Sequence, residues 1–283
     1  MSDGPPRIFD RKALTLHSAR AQRIGGDKFL VREAAEGLAE RLHAIRRTFV
    51  NAFALGAGEA VDPILLPLAK RWTHAQLDED ESFIAGAESF DLIVSNLSLH
   101  SVNDLPGVLA QVRRALRPDG LFLATLFGGG TLFELRQSLA AGEIDTLGGV
   151  SPRVAPFADV RDLGGLLQRA GFALPVADVE RSVVRYRDVA ALIADLRAMG
   201  ETNALSERSR TPLSRTTLAA TMAHYAMHHS DADGRLRATF DVVYLTGWAP
   251  HDSQQRPLKP GSATSRLADV LNRDNGGTAE PKN

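Results

Sequence analysis

The chain has 283 residues, of which 44% are hydrophobic, 24% charged and none cysteine, so disulfide frameworks, thiol nucleophiles and cysteine-ligated metals are excluded. Its formal net charge of −1 argues against a strongly basic nucleic-acid-binding protein. At about 150 residues per domain the length corresponds to two domains, but a single α/β domain with added helices also fits. The N-terminus lacks the apolar core of a secretory signal, and no run of about 18 apolar residues occurs. We therefore expect a cytoplasmic protein without a membrane span.

Three regions are predicted along the chain. Residues 1–26 are expected to form an N-terminal tail, residues 27–250 a single domain, and residues 251–283 a mobile tail rich in Pro, Gly, Ser and Asn. Apolar residues at helical spacing predict a helix over residues 27–47. The next predicted elements are a strand from Phe49 to Leu55, which ends in a glycine turn, and a short helix over 63–69.

The clearest strand–helix–strand unit lies in the middle of the chain. It comprises a strand from Phe90 to Asn96, a helix capped by Asn103 or Asp104, and a strand from Leu121 to Phe127. Further helices are predicted over 159–170, 188–199 and 214–229, with strands within 173–186 and over 240–248. Alternating strands and helices predict an α/β fold with a doubly wound parallel sheet. The helices within about 188–230 are predicted to form a lid.

Ligands of such a fold bind beyond the carboxyl ends of the strands. Gly56 and Gly58 follow the first strand, where the lack of a side chain lets a nucleotide-like ligand approach the backbone; the alternative is a plain tight turn. Asp78 and Glu79 belong to an acidic run, in which a carboxylate can hold a ribose hydroxyl. Four adjacent acids favour the alternative, a solvated loop.

The two later strand ends give further candidates. Asn96 and Leu97 open a ligand-facing loop, in which His100 can act as a base, hold a carboxylate or simply cap the next helix. Gly128, Gly129 and Thr131 follow the strand that ends at Phe127 and predict a loop that lines a substrate pocket. The alternative for Thr131 is to cap the helix that begins near Leu132. No pattern in the sequence predicts a metal site.

Several segments carry a resemblance to known families. Phe90–Asn96, Leu99-His100 and Leu116–Leu121 resemble the fourth strand, its following loop and the approach to the fifth strand of class I S-adenosylmethionine-dependent methyltransferases. Within that superfamily the chain most resembles the arginine hydroxylases that assist assembly of respiratory complex I, relatives of malonyl-carrier-protein methyltransferases. The segments that carry this closer resemblance are 9–11, 98–106, 126–136, 162–167, 199–203 and 247–248.

This resemblance implies a Rossmann-like methyltransferase sheet with added helices, an S-adenosylmethionine cofactor at the loops named above, and a protein substrate or partner such as a complex I subunit modified on arginine. The sequence departs from the pattern on the cofactor side. Ala54 and Ala60 replace the acid and the last glycine of the family's first motif, and 34 positions separate Gly56 from Phe90. That spacing is short by roughly one strand–helix unit, because each crossover takes about a dozen residues.

Two hypotheses follow, and a third is weaker. The first is an enzyme that uses S-adenosylmethionine to methylate a protein side chain, or that hydroxylates one, with His100 as the best candidate base. The second is a catalytically inactive assembly or scaffold protein that keeps the fold and the partner surface but not the cofactor. The third is a carrier-protein methyltransferase.

Overall fold

The computed structural model describes residues 7–56 and 62–255. One compact unit ends at Pro250. From His251 onward only residues 251–255 are described, and they form a turn in which the Gln254 N–H donates to the His251 carbonyl. No helix in the described part of the chain is long and apolar enough to cross a bilayer.

Six strands form one sheet in the order β2-β1-β3-β4-β6-β5. The strands are β1 (Phe49–Leu55), β2 (Ala69–Ala75), β3 (Phe90–Asn96), β4 (Leu116–Phe127), β5 (Ala173–Tyr186) and β6 (Leu236–Trp248). The first four are parallel, whereas β6 runs antiparallel to both β4 and β5. The expectation of a wholly parallel sheet is therefore wrong at this strand, since a continuous apolar run does not reveal strand direction.

Eight helices accompany the sheet in the described residues. They are α1 (Arg11–Ile24), α2 (Phe29–Ala44), α3 (Asp62–Leu65), α4 (Leu105–Ala115), α5 (Phe133–Leu147), α6 (Val160–Arg169), α7 (Val189–Met199) and α8 (Arg215–His229). Side-chain oxygens of Asp104, Asp159, Asp188 and Ser214 cap α4, α6, α7 and α8, because each accepts a hydrogen bond from a first-turn N–H.

Each face of the sheet is covered by its own hydrophobic cluster. Leu38 of α2, Leu192 of α7 and Tyr225 of α8 pack on one face, whereas Leu109 of α4 and Leu163 of α6 pack on the other. The central strands are therefore buried on both sides and read as nearly continuous apolar runs. The Rossmann-like sheet with added helices that the sequence predicted is confirmed.

The shortened region has a definite structure. After β2 the chain reaches β3 through residues 76–89, which contain no helix. The Phe83 ring of this loop packs on Phe53 of β1 with centroids 5.3 Å apart. A single strand thus lies beside β1 at the edge of the sheet, as the short spacing in the sequence predicted.

The predicted N-terminal tail contains a helix. Within residues 1–26 the structure places α1, whose N-cap Asp10 accepts a hydrogen bond from the Ala13 N–H. Ala13 and Ala21 are buried, and Phe9 pairs with Leu205 in an isolated bridge. The prediction of a tail over 1–26 is wrong for 11–24, because the two side chains that this helix buries, Ala13 and Ala21, are small and give only a weak apolar pattern.

Candidate functional site

The loops after β1, β3 and β4 lie at one edge of the sheet, because these strands are parallel neighbours. The glycine turn begins at Gly56, the second loop spans 97–104, and the third spans 128–132. The sequence therefore placed these loops correctly at the carboxyl edge of the sheet, although Gly58 and Ala60 lie outside the described residues.

Gly56 is a glycine for a structural reason. Its φ is +72°, its N–H donates to the Ala75 carbonyl, and an added Cβ would lie 2.5 Å from the Ser98 Cβ. The Ser98 hydroxyl is in turn held by the Leu55 carbonyl at 3.2 Å and by Ser95 at 2.7 Å. The turn after β1 is thus fixed to the loop after β3. Ala54, where the family has an acid, is buried among apolar side chains.

The side chain of Asn96 is used within the protein. Its Nδ2 donates to the Val31 carbonyl at 2.9 Å and its Oδ1 accepts from the Thr125 hydroxyl at 2.7 Å. Leu97 has a φ of +43° and donates its N–H to Thr125. These contacts fix the end of β3, so any cofactor contact here falls to the backbone.

The acidic run is a turn, not a row of free carboxylates. The Asp78 carboxylate accepts bonds from the Ser82 hydroxyl at 2.6 Å and from the Ser82 and Asp80 N–H groups. These bonds hold the pKa of Asp78 below its ordinary value, the Ser82 hydroxyl contributing most. Glu79 is exposed. Glu81 is buried and accepts from the Asn103 and Asp104 N–H groups at 2.8 and 2.7 Å, which anchors the start of α4.

The loop after β4 packs closely on β6. A Cβ on Gly128 would lie 2.8 Å from Val243, whereas one on Gly129 would meet only ordinary contacts. Thr131 is buried and its hydroxyl exchanges bonds with the backbone of Asp241. Thr131 does not cap α5, whose N-cap is Leu132. Of the three predicted pocket residues, only Thr131 lines the cavity described next.

A cavity of about 400 Å³ lies beneath α1, α7 and α8. Its floor is formed by Phe127 at the end of β4 and Phe240 of β6, and the segment 153–157 forms one wall. The helices α7 and α8, predicted as a lid, contribute Ile193 and Thr221. Helix α1 contributes Leu14, His17 and Arg20. None of Gly56, Asp78, Glu79 and Asn96 lines this cavity, so it is distinct from the glycine turn.

His100 is the predicted site residue that the structure places most clearly. Its side chain is 5% exposed and packs between the rings of Phe127 and Phe157, at centroid distances of 4.8 and 5.6 Å. Its Nε2 lies 3.0 Å from Oε2 of Glu201, and its buried Nδ1 has no partner among the described residues. Since a carboxylate only accepts hydrogen bonds, Nε2 carries a proton, and in the tautomer that is protonated only there Nδ1 is an acceptor without a partner among the described residues.

Sequence reasoning missed the residues that complete this cavity. Glu201 lies in segment 199–203, which carried part of the family resemblance but received no role. Glu143, buried on α5, binds Arg153 at 2.8 Å and so holds a cavity wall. In the described part of the chain no group of three metal-binding side chains converges.

The fit to S-adenosylmethionine is partial. Gly56 and Leu97 offer backbone at the strand ends, and Glu79 offers an exposed carboxylate near the end of β2. The side chains of Asp78 and Asn96 are engaged by other protein groups. A cofactor here would be held by the backbone of the turns and by Glu79.

Comparison with known proteins gives consistent matches. A family described as a methyltransferase domain matches residues 35–175. The mitochondrial protein named arginine-hydroxylase NDUFAF5 of Danio rerio is 38% identical over 86% of this chain and 82% of its own. Its namesake in Dictyostelium discoideum is 44% identical over 67% of this chain, but this chain spans only 44% of that protein.

Two further matches extend the comparison. The malonyl-[acyl-carrier protein] O-methyltransferase of Xylella fastidiosa (strain M23) is 35% identical over 86% of this chain and 83% of its own. Among solved structures, the YcgJ protein of Bacillus subtilis aligns with a TM-score of 0.50 over 77% of this chain and 98% of its own. At 13% identity that last likeness shows the fold alone.

Proposed function

Since the chain belongs to the methyltransferase-fold family that includes the arginine hydroxylase NDUFAF5, we propose that it acts on a protein partner during assembly of respiratory complex I, by modifying an arginine of a complex I subunit. We place this activity in the cytoplasm. The observation that carries the proposal is the contact of the buried His100 side chain with the partly exposed Glu201 carboxylate, in a cavity at the carboxyl edge of the sheet.

The pair is suited to accept a proton. Glu201 holds the Nε2–H of His100, which fixes the ring and leaves Nδ1 as the acceptor facing a substrate N–H or O–H. When the imidazole becomes charged, the adjacent carboxylate stabilises it. The packing against Phe127 and Phe157 keeps water away from the ring, so the proton goes from the substrate to His100.

S-adenosylmethionine would supply a methyl group that replaces the substrate proton. The residues that would hold it are Gly56, Leu97 and Glu79, with Gly58 added from the sequence. The chain's own residues then have two tasks, which are to orient the substrate in the cavity and to take up its proton at His100.

Complementation of a deletion strain tests this proposal. Complex I is quantified on native gels after expression of the wild type, His100→Ala, Glu201→Gln and the surface control His43→Ala. We expect the wild type and His43→Ala to restore complex I, His100→Ala to fail, and Glu201→Gln to restore it in part. Full restoration by His100→Ala refutes the proton-acceptor role, and intact complex I in the deletion strain refutes the link to assembly.

Mass spectrometry of complex I subunits from the same strains identifies the chemistry. Loss of a methyl mass from an arginine in the deletion strain supports methylation, whereas loss of one oxygen mass supports hydroxylation. An unchanged set of subunit masses, with complex I lost, contradicts any modification. Fractionation of the wild-type strain tests the cytoplasmic location.

A second function, that of a non-catalytic assembly scaffold, is favoured by one specific observation. The carboxylate and amide predicted to hold the cofactor, those of Asp78 and Asn96, already bond to protein groups. Calorimetric titration with S-adenosylmethionine separates the two functions, with Gly58→Asp as the comparison. Binding that this substitution abolishes contradicts the scaffold, and no binding at millimolar cofactor contradicts the cofactor-dependent enzyme.

A further inference from the structure

Unsatisfied polar atoms are concentrated in the cavity. Among the described residues, six buried side-chain polar atoms have no hydrogen-bond partner, and four belong to cavity-lining residues. These four are His17 Nδ1, Arg20 Nε, His100 Nδ1 and Thr221 Oγ1. Because buried polar groups are nearly always paired, such a concentration indicates that something other than the protein completes them.

Four arginines line the cavity, and within the described part of the chain two of them form ion pairs while Arg20 and Arg197 form none. Arg153 is paired with the buried carboxylate of Glu143 at 2.8 Å, and Arg208 is paired with Asp10 at 3.0 Å. Arg20 forms no ion pair within the described part of the chain. Its Nη2 donates to the Thr202 hydroxyl at 2.8 Å, and its buried Nε donates to nothing.

Glu201 is the carboxylate among the described lining residues, and it keeps its charge, but no ion pair joins it to Arg20. Glu201 is occupied by His100 at 3.0 Å. On the same helix as Arg20, burial lowers the pKa of His17, and the charges of Arg20 and Arg208 lower it further. With two unpaired arginines, Arg20 and Arg197, against one carboxylate, Glu201, the described lining of the cavity keeps one uncompensated positive charge, which an anion would balance.

We propose that Arg20 is the anchor of a carboxylate-binding subsite, and that the ligand of this cavity carries a carboxylate. A single guanidinium matches the single charge of a carboxylate, and its planar fork can bind both oxygens through Nε and a neighbouring N–H. Helix α7 lines the cavity with Val189, Ile193 and Leu196 next to Arg197, so a ligand whose carboxylate binds Arg20 has an apolar body against the three apolar side chains.

Two sources could supply this carboxylate, and the inference rests on the proposed function for both. One is the protein substrate, through an acidic side chain beside the arginine that faces His100. The other is the amino-acid carboxylate of the cofactor. Arg20→Gln should weaken S-adenosylhomocysteine binding only if the cofactor is the source.

The test uses butyrate, its neutral isostere butyramide and the cation butylguanidinium as probes of the full-length protein. Binding is measured from the resonances of the probes themselves in every variant, and in the wild type also through the Arg20 Nε resonance of a ¹⁵N NMR spectrum, which is assigned by its loss in Arg20→Gln. Arg23→Gln, an exposed arginine of the same helix, is the matched control. The titrations are repeated with saturating S-adenosylhomocysteine.

We expect butyrate to shift the Arg20 resonance and to bind about tenfold or more tightly than butyramide, since hydrogen bonds to charged groups are strong. Arg20→Gln should abolish this preference, and Arg23→Gln should keep it. If the preference for butyrate over butyramide persists with saturating S-adenosylhomocysteine, the subsite belongs to the substrate. If S-adenosylhomocysteine displaces butyrate, the subsite belongs to the cofactor.

Equal binding of butyrate and butyramide, tighter binding of butylguanidinium, or no effect of Arg20→Gln overturns the proposal. Failure here leaves the proposed function standing if His100→Ala still fails to restore complex I. Conversely, full restoration by His100→Ala refutes the proton-acceptor role while a butyrate preference still supports the subsite, so the two failures are distinguishable.

Discussion

The wall of the cavity depends on one buried carboxylate, and removing its charge should destabilise the fold. Glu143 is 1% exposed, yet it accepts bonds from the Ser151 N–H and hydroxyl at 2.6 Å each and from Arg153 Nε at 2.8 Å. These contacts tie the segment 151–157 to α5. Glu143→Gln keeps the shape of the side chain but turns one acceptor into a donor and removes the charge.

The size of the effect follows from these contacts. Breaking a buried ion pair costs about 3–5 kcal/mol because it leaves an uncompensated charge. The Arg153 side chain is 18% exposed, so its guanidinium can regain some hydration. We therefore expect Glu143→Gln to lower the free energy of unfolding by about 2–3 kcal/mol. This loss is smaller than that for a fully buried ion pair and close to the contribution of a single charged hydrogen bond, about 1.5–3 kcal/mol.

The pH dependence gives an independent check. Burial raises the pKa of Glu143, but the bonds from Ser151 and Arg153 outweigh it, so the folded-state pKa lies below the ordinary 4.5. The stabilisation is therefore complete above the unfolded pKa and is lost as the pH falls through the folded pKa. The difference between wild type and Glu143→Gln should shrink at acid pH.

Urea unfolding measured by circular dichroism between pH 7 and pH 3 gives the loss of unfolding free energy in Glu143→Gln and the change of that loss with pH. The control is Asp233→Asn, which removes one partner of the exposed pair with Arg185 and should change the unfolding free energy little. A Glu143→Gln protein within about 0.5 kcal/mol of wild type at pH 7 would refute the reasoning, because that is the scatter of neutral surface substitutions.

Two further predictions concern packing on β6. Gly37→Ala should destabilise the protein by about 1–3 kcal/mol, because its Cβ would lie 2.7 Å from Cζ of Tyr244. Its control, Gly165→Ala on α6, has open space around the new Cβ and should stabilise the protein by about 0.5–1 kcal/mol. Thermal unfolding that ranks the two variants in the opposite order contradicts the packing on Tyr244. Arg41→Lys should cost about 1 kcal/mol, because the guanidinium stacks 3.5 Å above the Tyr244 ring while binding Asp178 at 2.5 Å. A lysine variant as stable as wild type in urea would contradict that stacking.

Many of the strands and helices could be predicted because their apolar runs and helix-capping residues point to the same element boundaries. The strands β1 and β3 match their predicted bounds, and Asp104, Asp159, Asp188 and Ser214 begin the helices they precede. Strands buried on both faces give unbroken apolar runs, and helix caps give short polar signals. Both are local properties of the chain.

The errors concern contacts between distant segments. Helix α1 has little apolar surface of its own and owes its position to α7 and to the Asp10–Arg208 ion pair. Nothing near His100 in the sequence indicates Glu201, which is brought to it by the fold from 101 positions away. The antiparallel direction of β6 likewise depends on its neighbours β4 and β5.

None of Gly56, Asp78, Glu79 and Asn96 on the shortened cofactor side lines the cavity, which bears on both proposed functions. The loop 76–89 closes the gap after β2 through Phe83 on Phe53 and through Glu81 at the start of α4. A chain with one strand–helix unit fewer can therefore fold without disturbing the cavity beneath α1, α7 and α8. The unpaired Arg20 and the free Nδ1 of His100 call for a ligand whether or not a cofactor binds at the glycine turn. In a scaffold that binds no ligand at all, the Arg20 Nε and the His100 Nδ1 would stay buried and unpaired, and each would lower the stability of the fold. Their burial therefore argues against a scaffold without any ligand.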